Sequence, residues 1–400
     1  MSKPIPPKRA VLGAMLILGL ILEFAPTNMI SRGAVFMLRQ AGIENPFKRP
    51  PQLVEGVIET NEFEITLTPL DALPTVRPAT LLGNNAETMR VVEQESTQIG
   101  ALSIRAALET AGLSFGDAVF GSVVQLFMIA GQPFAYMGLM QGDCAFGALV
   151  DMQGARVADR FPCIDEADSH HSLNILGGGY LIEGDTLFLA TGVGNNKTWA
   201  RQAAVAQDPD SPYGKVLTYR IAADETGVTL HDRTAYSRGH RNPQGLARIN
   251  GHMVLVEHGP RGGDEINVVV QGANYGWPDT SFGSMYNHRR IQPLEGAAGR
   301  VGAPAFSFLP SVAPSDIAPC PSAIADRYTG VDCAVMTTLR ARQLLIVLAD
   351  FARNKVFAVE RIDIGQRMRR VRLINDGLYV APEAGVVFGL TLKPLETGDR

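Results

Sequence analysis

Short apolar runs bounded by turn residues constrain this chain more than any other feature. Val123–Ala130, Leu187–Ala190, Val216–Arg220, Met253–Val256, Leu344–Leu348, Val356–Val359 and Leu378–Ala381 are each four to eight residues long. They are too short for helices and rich in Val, Leu, Phe and Tyr, as buried strands are. Several share one form, a glycine turn followed by a strand: Gly184-Asp185-Thr186-Leu187-Phe188-Leu189, Gly251-His252-Met253-Val254-Leu255-Val256 and Asp376-Gly377-Leu378-Tyr379-Val380. Gly184 and Gly251 lie 67 residues apart, and Gly251 and Gly377 lie 126 apart, close to twice that. A unit of about 60 residues that supplies four short strands has the size of a propeller blade with long loops. The chain therefore reads as all-β.

Composition agrees with a folded β domain. Hydrophobic residues make up 46% and charged residues 19% of 400 positions, enough for a full core. The 41 glycines and 25 prolines suit a chain with many turns. A net charge of −4 leaves no basic footprint, so nucleic acid is not an expected partner.

The N-terminus has a different character. Lys3, Lys8 and Arg9 precede an apolar run from Ala10 to Leu22, broken at Glu23 before Pro26. A positive region followed by a hydrophobic stretch of this length is the pattern of an export signal. No small-x-small cleavage site follows, so residues 1–30 read as a signal peptide or an uncleaved membrane anchor. Residues 31–53 contain Asn45-Pro46-Phe47-Lys48-Arg49-Pro50-Pro51 and read as a linker, with the folded domain over 54–400. The four cysteines fall into two local pairs, Cys144 with Cys163 and Cys320 with Cys333. In an exported chain short-loop disulfides are expected; four buried thiols are the alternative, and the spacings are not those of a zinc site.

Chemistry is concentrated between Gly239 and Pro278. Gly239-His240-Arg241-Asn242-Pro243-Gln244-Gly245-Leu246 comes first, then the strand Met253–Val256 after an Asn250-Gly251 turn, then Glu257-His258-Gly259-Pro260-Arg261-Gly262-Gly263-Asp264-Glu265-Ile266-Asn267. Gly272-Ala273-Asn274-Tyr275-Gly276-Trp277-Pro278 closes the block. The two polar stretches sit on loops at the ends of strands, where function tends to be carried.

This block resembles the soluble PQQ-dependent glucose and aldose sugar dehydrogenases, the glucose/sorbosone dehydrogenase family. The resemblance runs from about Gly177 to the C-terminus and includes Ala206-Gln207-Asp208 before Gly214-Lys215-Val216-Leu217, and Ala313-Pro314-Ser315. It implies a six-bladed β-propeller with an N-terminal membrane-targeting helix ahead of it. It also implies PQQ and Ca²⁺ as cofactors, a sugar or related alcohol as substrate, an external electron acceptor, and an exported, periplasmic location, free or anchored to the inner membrane. PQQ carries three carboxylates and an ortho-quinone, so its site needs cations, hydrogen-bond donors and a divalent metal. By resemblance Arg241, Asn242 and Gln244 contact the cofactor, and the carbonyls of Gly259 and Pro260 hold Ca²⁺, for which carbonyl oxygen is a suitable hard ligand. Arg340 falls where the family has lysine, and presents a fork where lysine presents a point charge. Arg367 and Arg369 match an Arg-x-Arg pair that grips carboxylates; Asp264 and Glu265 match acidic positions to which no definite role is given.

Besides Arg340, four positions depart from the family pattern. Asp316 stands for glycine, Arg370 for aspartate, and Tyr180 for arginine in a motif of the form HxGGRL. The fourth matters most: the histidine that serves the family as general base falls on Leu176, which cannot accept a proton. His170 and His171 lie just upstream, and His171 is the residue expected to replace it. The alternative is a membrane-anchored propeller of the same descent that has lost its base and binds without turnover, since fold does not imply function.

Overall fold

The computed structural model describes residues 119–164, 175–194, 204–284, 303–383 and 387–394, Thr110 and Leu173, and six short strands nearer the N-terminus. The expected targeting segment and linker, residues 1–53, lie outside the described residues. Among the described residues no helix is long and apolar enough to cross a membrane.

The chain folds almost entirely as antiparallel β-sheet. The first strands are β1 (Gly56–Glu59), β2 (Phe63–Pro69), β3 (Ala79–Leu82), β4 (Arg90–Glu93), β5 (Gln98–Ile99) and β6 (Leu102–Ser103). Four sheets of four strands follow in chain order. The first holds β7 (Val119–Ile129), β8 (Gln132–Gln141), β9 (Cys144–Asp151) and β10 (Arg156–Arg160). The second holds β11 (Gly177–Glu183), β12 (Thr186–Thr191), β13 (Lys215–Asp224) and β14 (Gly227–Arg238). The third holds β15 (Pro243–Ile249), β16 (His252–Glu257), β17 (Asp264–Val268) and β18 (Phe306–Phe308). The fourth holds β19 (Pro314–Pro319), β20 (Asp332–Thr338), β21 (Gln343–Asp350) and β22 (Lys355–Asp363). The last strands are β23 (Met368–Ile374), β24 (Gly377–Pro382) and β25 (Phe388–Pro394). They form a sheet in the order β1-β2-β25-β24-β23, so strands from the two ends of the folded domain share one sheet. Two-stranded ladders β3-β4 and β5-β6 complete the set.

The first strands of successive sheets, β7, β11, β15, β19 and β23, pack side by side in that order, and β3 lies against both β23 and β7. This is the radial arrangement of a β-propeller. The second, third and fourth of these sheets share a core with a neighbour on each face, which explains why their middle strands are continuous apolar runs. Along β16 the side chains alternate between two cores. Met253 and Leu255 pack with Phe188, Val216 and Leu246 of one interface, whereas Val254 and Val256 pack with Ile266, Ile317 and Leu345 of the next. Full burial of such a side chain contributes about 1.5–3 kcal/mol. Outer strands break the rule: β22 alternates exposed and half-buried positions, as an edge open to water must. The seven apolar runs read as strands all fall in strands, Ala130 alone lying one residue beyond β7. The Asn250-Gly251 turn is also found, with positive φ at both residues, the geometry a tight hairpin requires.

Both local cysteine pairs are disulfides. Cys144–Cys163 closes 19 residues beside β9 and Cys320–Cys333 closes 13 between β19 and β20. Loops of this size contribute about 3 kcal/mol in the chain-entropy account.

Candidate functional site

The polar motifs gather where β11, β15, β19 and β23 begin. The loop before β15 is anchored by Glu257, at the end of β16. One carboxylate oxygen accepts the Arg241 backbone N–H at 2.8 Å. The other accepts Asn267 Nδ2 at 2.9 Å and lies 3.1 Å from His240 Nδ1. The carboxylate assigns the proton to Nδ1, so Nε2 accepts from Ser237 Oγ at 2.9 Å. His240 is fully buried and stacks on Tyr275 with ring centroids 4.7 Å apart. A buried carboxylate with three donors is a strong fixed point.

Arg241 is thereby held with its guanidinium 5.3 Å from the Trp277 ring centroid. Its Nη1 donates to two successive carbonyls, His258 at 3.2 Å and Gly259 at 2.9 Å. Two carbonyl oxygens therefore converge on one cationic nitrogen. Asn242 and Gln244 are turned to a different use. Asn242 Oδ1 accepts from Gly177 N–H at 3.1 Å and from Gln244 Nε2 at 3.0 Å, and Gln244 Nε2 also donates to the Gly177 carbonyl at 3.2 Å. Both amides fasten the start of β15 to the start of β11. Asn242 Nδ2 faces His258 Nδ1 at 3.2 Å. Burial pushes the His258 imidazole down to about 4, with Arg241 and Arg369 adding to the effect against Asp264. His258 is neutral at neutral pH, and two cations bear on it, Arg241 from the loop before β15 and Arg369 from β23.

Asp264 organises the neighbouring loops. One oxygen accepts the Gly259 N–H at 2.9 Å; the other accepts Ser311 Oγ at 2.5 Å and the N–H groups of Val312 and Ala313 at 2.8 and 2.7 Å. It is fully buried and works in loop structure. Arg340 joins the same loop through its backbone, donating to the Val312 carbonyl at 3.1 Å, and its side chain is exposed. A small cavity of about 10 Å³, room for about one water, lies between Arg241, Glu257, Glu265 and Trp277. Among the described residues no group of three or more His, Cys, Asp and Glu is placed to hold a metal.

Arg367 and Arg369 meet the carboxylate of Glu383, which follows β24. Arg367 grips it with Nε and, at 3.3 Å, Nη2, while Arg369 Nη2 donates to the same oxygen Oε1 at 2.6 Å. Arg370 is buried, donating to the Ser315 carbonyl at 3.3 Å and the Val124 carbonyl at 3.2 Å, so it links β23 to β19 and β7. Burial pushes it down to about 9 against the pull of Asp316. Arg372 pairs with Asp316, lies 5.2 Å from the Tyr180 ring centroid and is held above the usual range by both partners despite burial. The run Arg367–Arg372 is thus not a solvated basic edge. Three of the four departures from the family pattern, Tyr180, Asp316 and Arg370, meet in this one cluster. Beyond it a cavity of about 420 Å³ lies among the inner strands, lined by Met128, Leu246 and Ile317 among others.

Leu176 packs into the core. Its Cδ1 lies 2.6 Å from where a Cβ on Gly138 would be, and its carbonyl accepts from Tyr136 Oη at 3.1 Å and Gly192 N–H at 2.8 Å. His170 and His171 lie outside the described residues. Glu257, Asp264, His258 and Glu383 are the participants that sequence reasoning did not assign. For Glu257 a signal existed, a charge ending a strand whose apolar run reads as buried throughout.

The inner strands are arranged as in a β-propeller, and the polar motifs gather where those strands begin. The profile of the glucose/sorbosone dehydrogenase family matches residues 159–386, more than half of the chain, which therefore belongs to that family. Over 222 residues the chain is 34% identical to the aldose sugar dehydrogenase YliI of Escherichia coli, covering 52% of this chain and 57% of that one. It spans about half the length of the curated relatives it matches. The solved soluble aldose sugar dehydrogenase of Escherichia coli, in its apo-form, superposes with a TM-score of 0.58 at 24% identity, over 82% of this chain and 99% of that one. The PQQ-bound aldose sugar dehydrogenase of Streptomyces coelicolor gives a TM-score of 0.50 at 17% identity, over 82% and 98%. At these identities the likeness is one of fold.

Proposed function

We propose that this chain is an exported sugar dehydrogenase of the aldose type that binds PQQ and Ca²⁺, built on a six-bladed propeller whose sixth blade comes from β3–β6. The position of β3 beside both β7 and β23 supports the sixth blade, and two disulfides support an oxidising compartment. The observation that carries the functional reading is that Arg367 and Arg369 both reach one carboxylate, that of Glu383, and so are already arranged to hold such a group. Such a pair suits an anion with several carboxylates, and Arg241, Asn242, Gln244 and Arg340 are the further contacts that the family resemblance implies for it. By the resemblance the carbonyls of Gly259 and Pro260 hold Ca²⁺, for which the Gly259 carbonyl would have to be shared with or released by Arg241. When bound, PQQ supplies the hydride acceptor and Ca²⁺ the charge that polarises it.

The protein's own part is to hold and orient, and to take one proton. Glu257 fixes the backbone of Arg241, and Asp264 fixes that of Gly259. Oxidation of a sugar hydroxyl releases a proton as the hydride leaves carbon, and Leu176 cannot take it. His171 is the acceptor this reading requires; electrons then pass to an external acceptor. The apolar N-terminal segment directs export, whether cleaved or kept as an anchor.

Reconstitution tests the reading. The purified full chain is titrated with PQQ and Ca²⁺ and then offered aldoses and a dye acceptor. Tight uptake with dye reduction is expected, lost in His171→Ala. Uptake without turnover would leave a binding propeller stripped of its base, and no uptake would confine the likeness to fold.

A further inference from the structure

We propose that Glu383 is a resident carboxylate that occupies the Arg367–Arg369 pair and limits the pair's affinity for carboxylate ligands. The proposal rests on the reading above, in which this pair takes a carboxylate of the cofactor. It starts from the way the three side chains are carried. The β23–β24 ladder shifts register between Met368 and Arg370, which leaves Arg369 as the extra residue of a bulge. Bulges re-aim side chains, and here both arginines reach the same carboxylate. Glu383 is delivered by the partner strand: its own N–H donates to the Arg367 carbonyl at 2.7 Å, continuing the ladder past Pro382. Its position is therefore set by backbone pairing.

The charges show that the contact is more than a surface pairing. Burial alone would raise the Glu383 carboxyl, yet the hydrogen bonds and charges of Arg367 and Arg369 outweigh it and hold the group below its ordinary range. Arg369 is the deeper cation, with 15% of its side chain exposed, and burial lowers its pKa. Its Nη2 is taken by Glu383, while its Nε is buried with no acceptor among the described residues. A buried guanidinium with a donor left over is not saturated. The pair thus has two cations, one internal carboxylate already seated, and hydrogen-bonding capacity remaining for a second.

A ligand carboxylate approaching this pair meets an attraction that Glu383 has partly cancelled. It must share the donors or displace the side chain, which is 29% exposed and has solvent to move into. Replacing the carboxylate with an amide of the same shape removes the opposing charge but keeps an oxygen to hold the arginines. Affinity for multivalent carboxylates should then rise, by about tenfold or more, given the strength of ion pairs at partly buried sites.

The experiment is calorimetric titration of the full chain, wild type and Glu383→Gln, with benzene-1,3,5-tricarboxylate and separately with PQQ plus Ca²⁺. We expect the amide variant to bind the tricarboxylate about tenfold more tightly, and to lose that gain more steeply with added salt. Arg367→Ala with Arg369→Ala in the same background should abolish the gain. Equal or weaker tricarboxylate binding by Glu383→Gln would overturn the proposal and make Glu383 a holder of the arginines. If neither protein takes up PQQ while the tricarboxylate gain persists, the cofactor reading fails and the role of Glu383 stands. Should circular dichroism show Glu383→Gln unfolded, Glu383→Asp, which withdraws the charge by one methylene, should give a smaller gain; no gain there would also overturn the proposal.

Discussion

Asp316→Asn is the substitution whose cost the structure defines best. Asp316 is 2% exposed, and its carboxylate is the counter-charge for two arginines inside the ring of inner strands. One oxygen takes Arg372 Nη1 and the Val371 N–H at 3.2 Å; the other takes the Ile317 N–H at 3.1 Å. Asparagine preserves shape and one accepting oxygen, so the loss is mainly of charge. Arg370 is 3% exposed and already pushed down to about 9, while Arg372 depends on Asp316 and Tyr180 to stay charged against burial. Breaking a buried pair from one side costs about 3–5 kcal/mol, because the remaining charge is left uncompensated. Against a total stability of about 5–15 kcal/mol that is a large fraction. Urea unfolding with disulfides intact, followed by circular dichroism, measures it. Arg372→Met added to Asp316→Asn should recover more than about 1 kcal/mol, the signature of coupled residues. A loss below about 1 kcal/mol in the single variant, or strict additivity in the double, would refute the account of the cluster.

Two further outcomes follow from buried groups. Lys215 is fully buried and its Nζ donates to the carbonyls of Val205, Ala206 and Tyr213 at 2.9, 3.1 and 2.8 Å; Lys215→Met strands these acceptors and should cost about 2–4 kcal/mol in urea unfolding. His258 resists protonation down to about 4 in the fold, whereas the unfolded chain takes up the proton near 6.5. Stability should therefore fall as pH drops from about 6.5 to about 4, by up to about 3 kcal/mol, and His258→Gln should flatten that part of the pH–stability curve.

The strands were legible because their burial is symmetric. A sheet covered on both faces turns each middle strand into a continuous apolar run, and Met253–Val256 or Leu344–Leu348 can hardly fold otherwise. The pairing of strands from opposite ends of the domain was not legible. Phe63–Pro69 carries no mark that its partner is Phe388–Pro394, more than 300 residues away, because the ladder is made by backbone groups common to every residue. The disulfides stood between: local spacing suggested the pairs, but only strand geometry brings Cys320 to Cys333.

Among site residues the same division appears between type and placement. Arg241 was marked by its motif, but nothing in the motif says that Glu257, across a hairpin, fixes its backbone. Asn242 and Gln244 read as ligand-facing amides because of their chemistry; in the fold that chemistry ties Gly177 to the start of β15. The departures Tyr180, Asp316 and Arg370 looked like three separate losses when met along the chain. In space they are one substitution of charge: a carboxylate arrives on β19 where the family has none, and an arginine replaces the carboxylate of β23. Leu176 differs in kind: its side chain is committed to the space over Gly138, so the proton acceptor for turnover is another residue, and His171 is the one proposed.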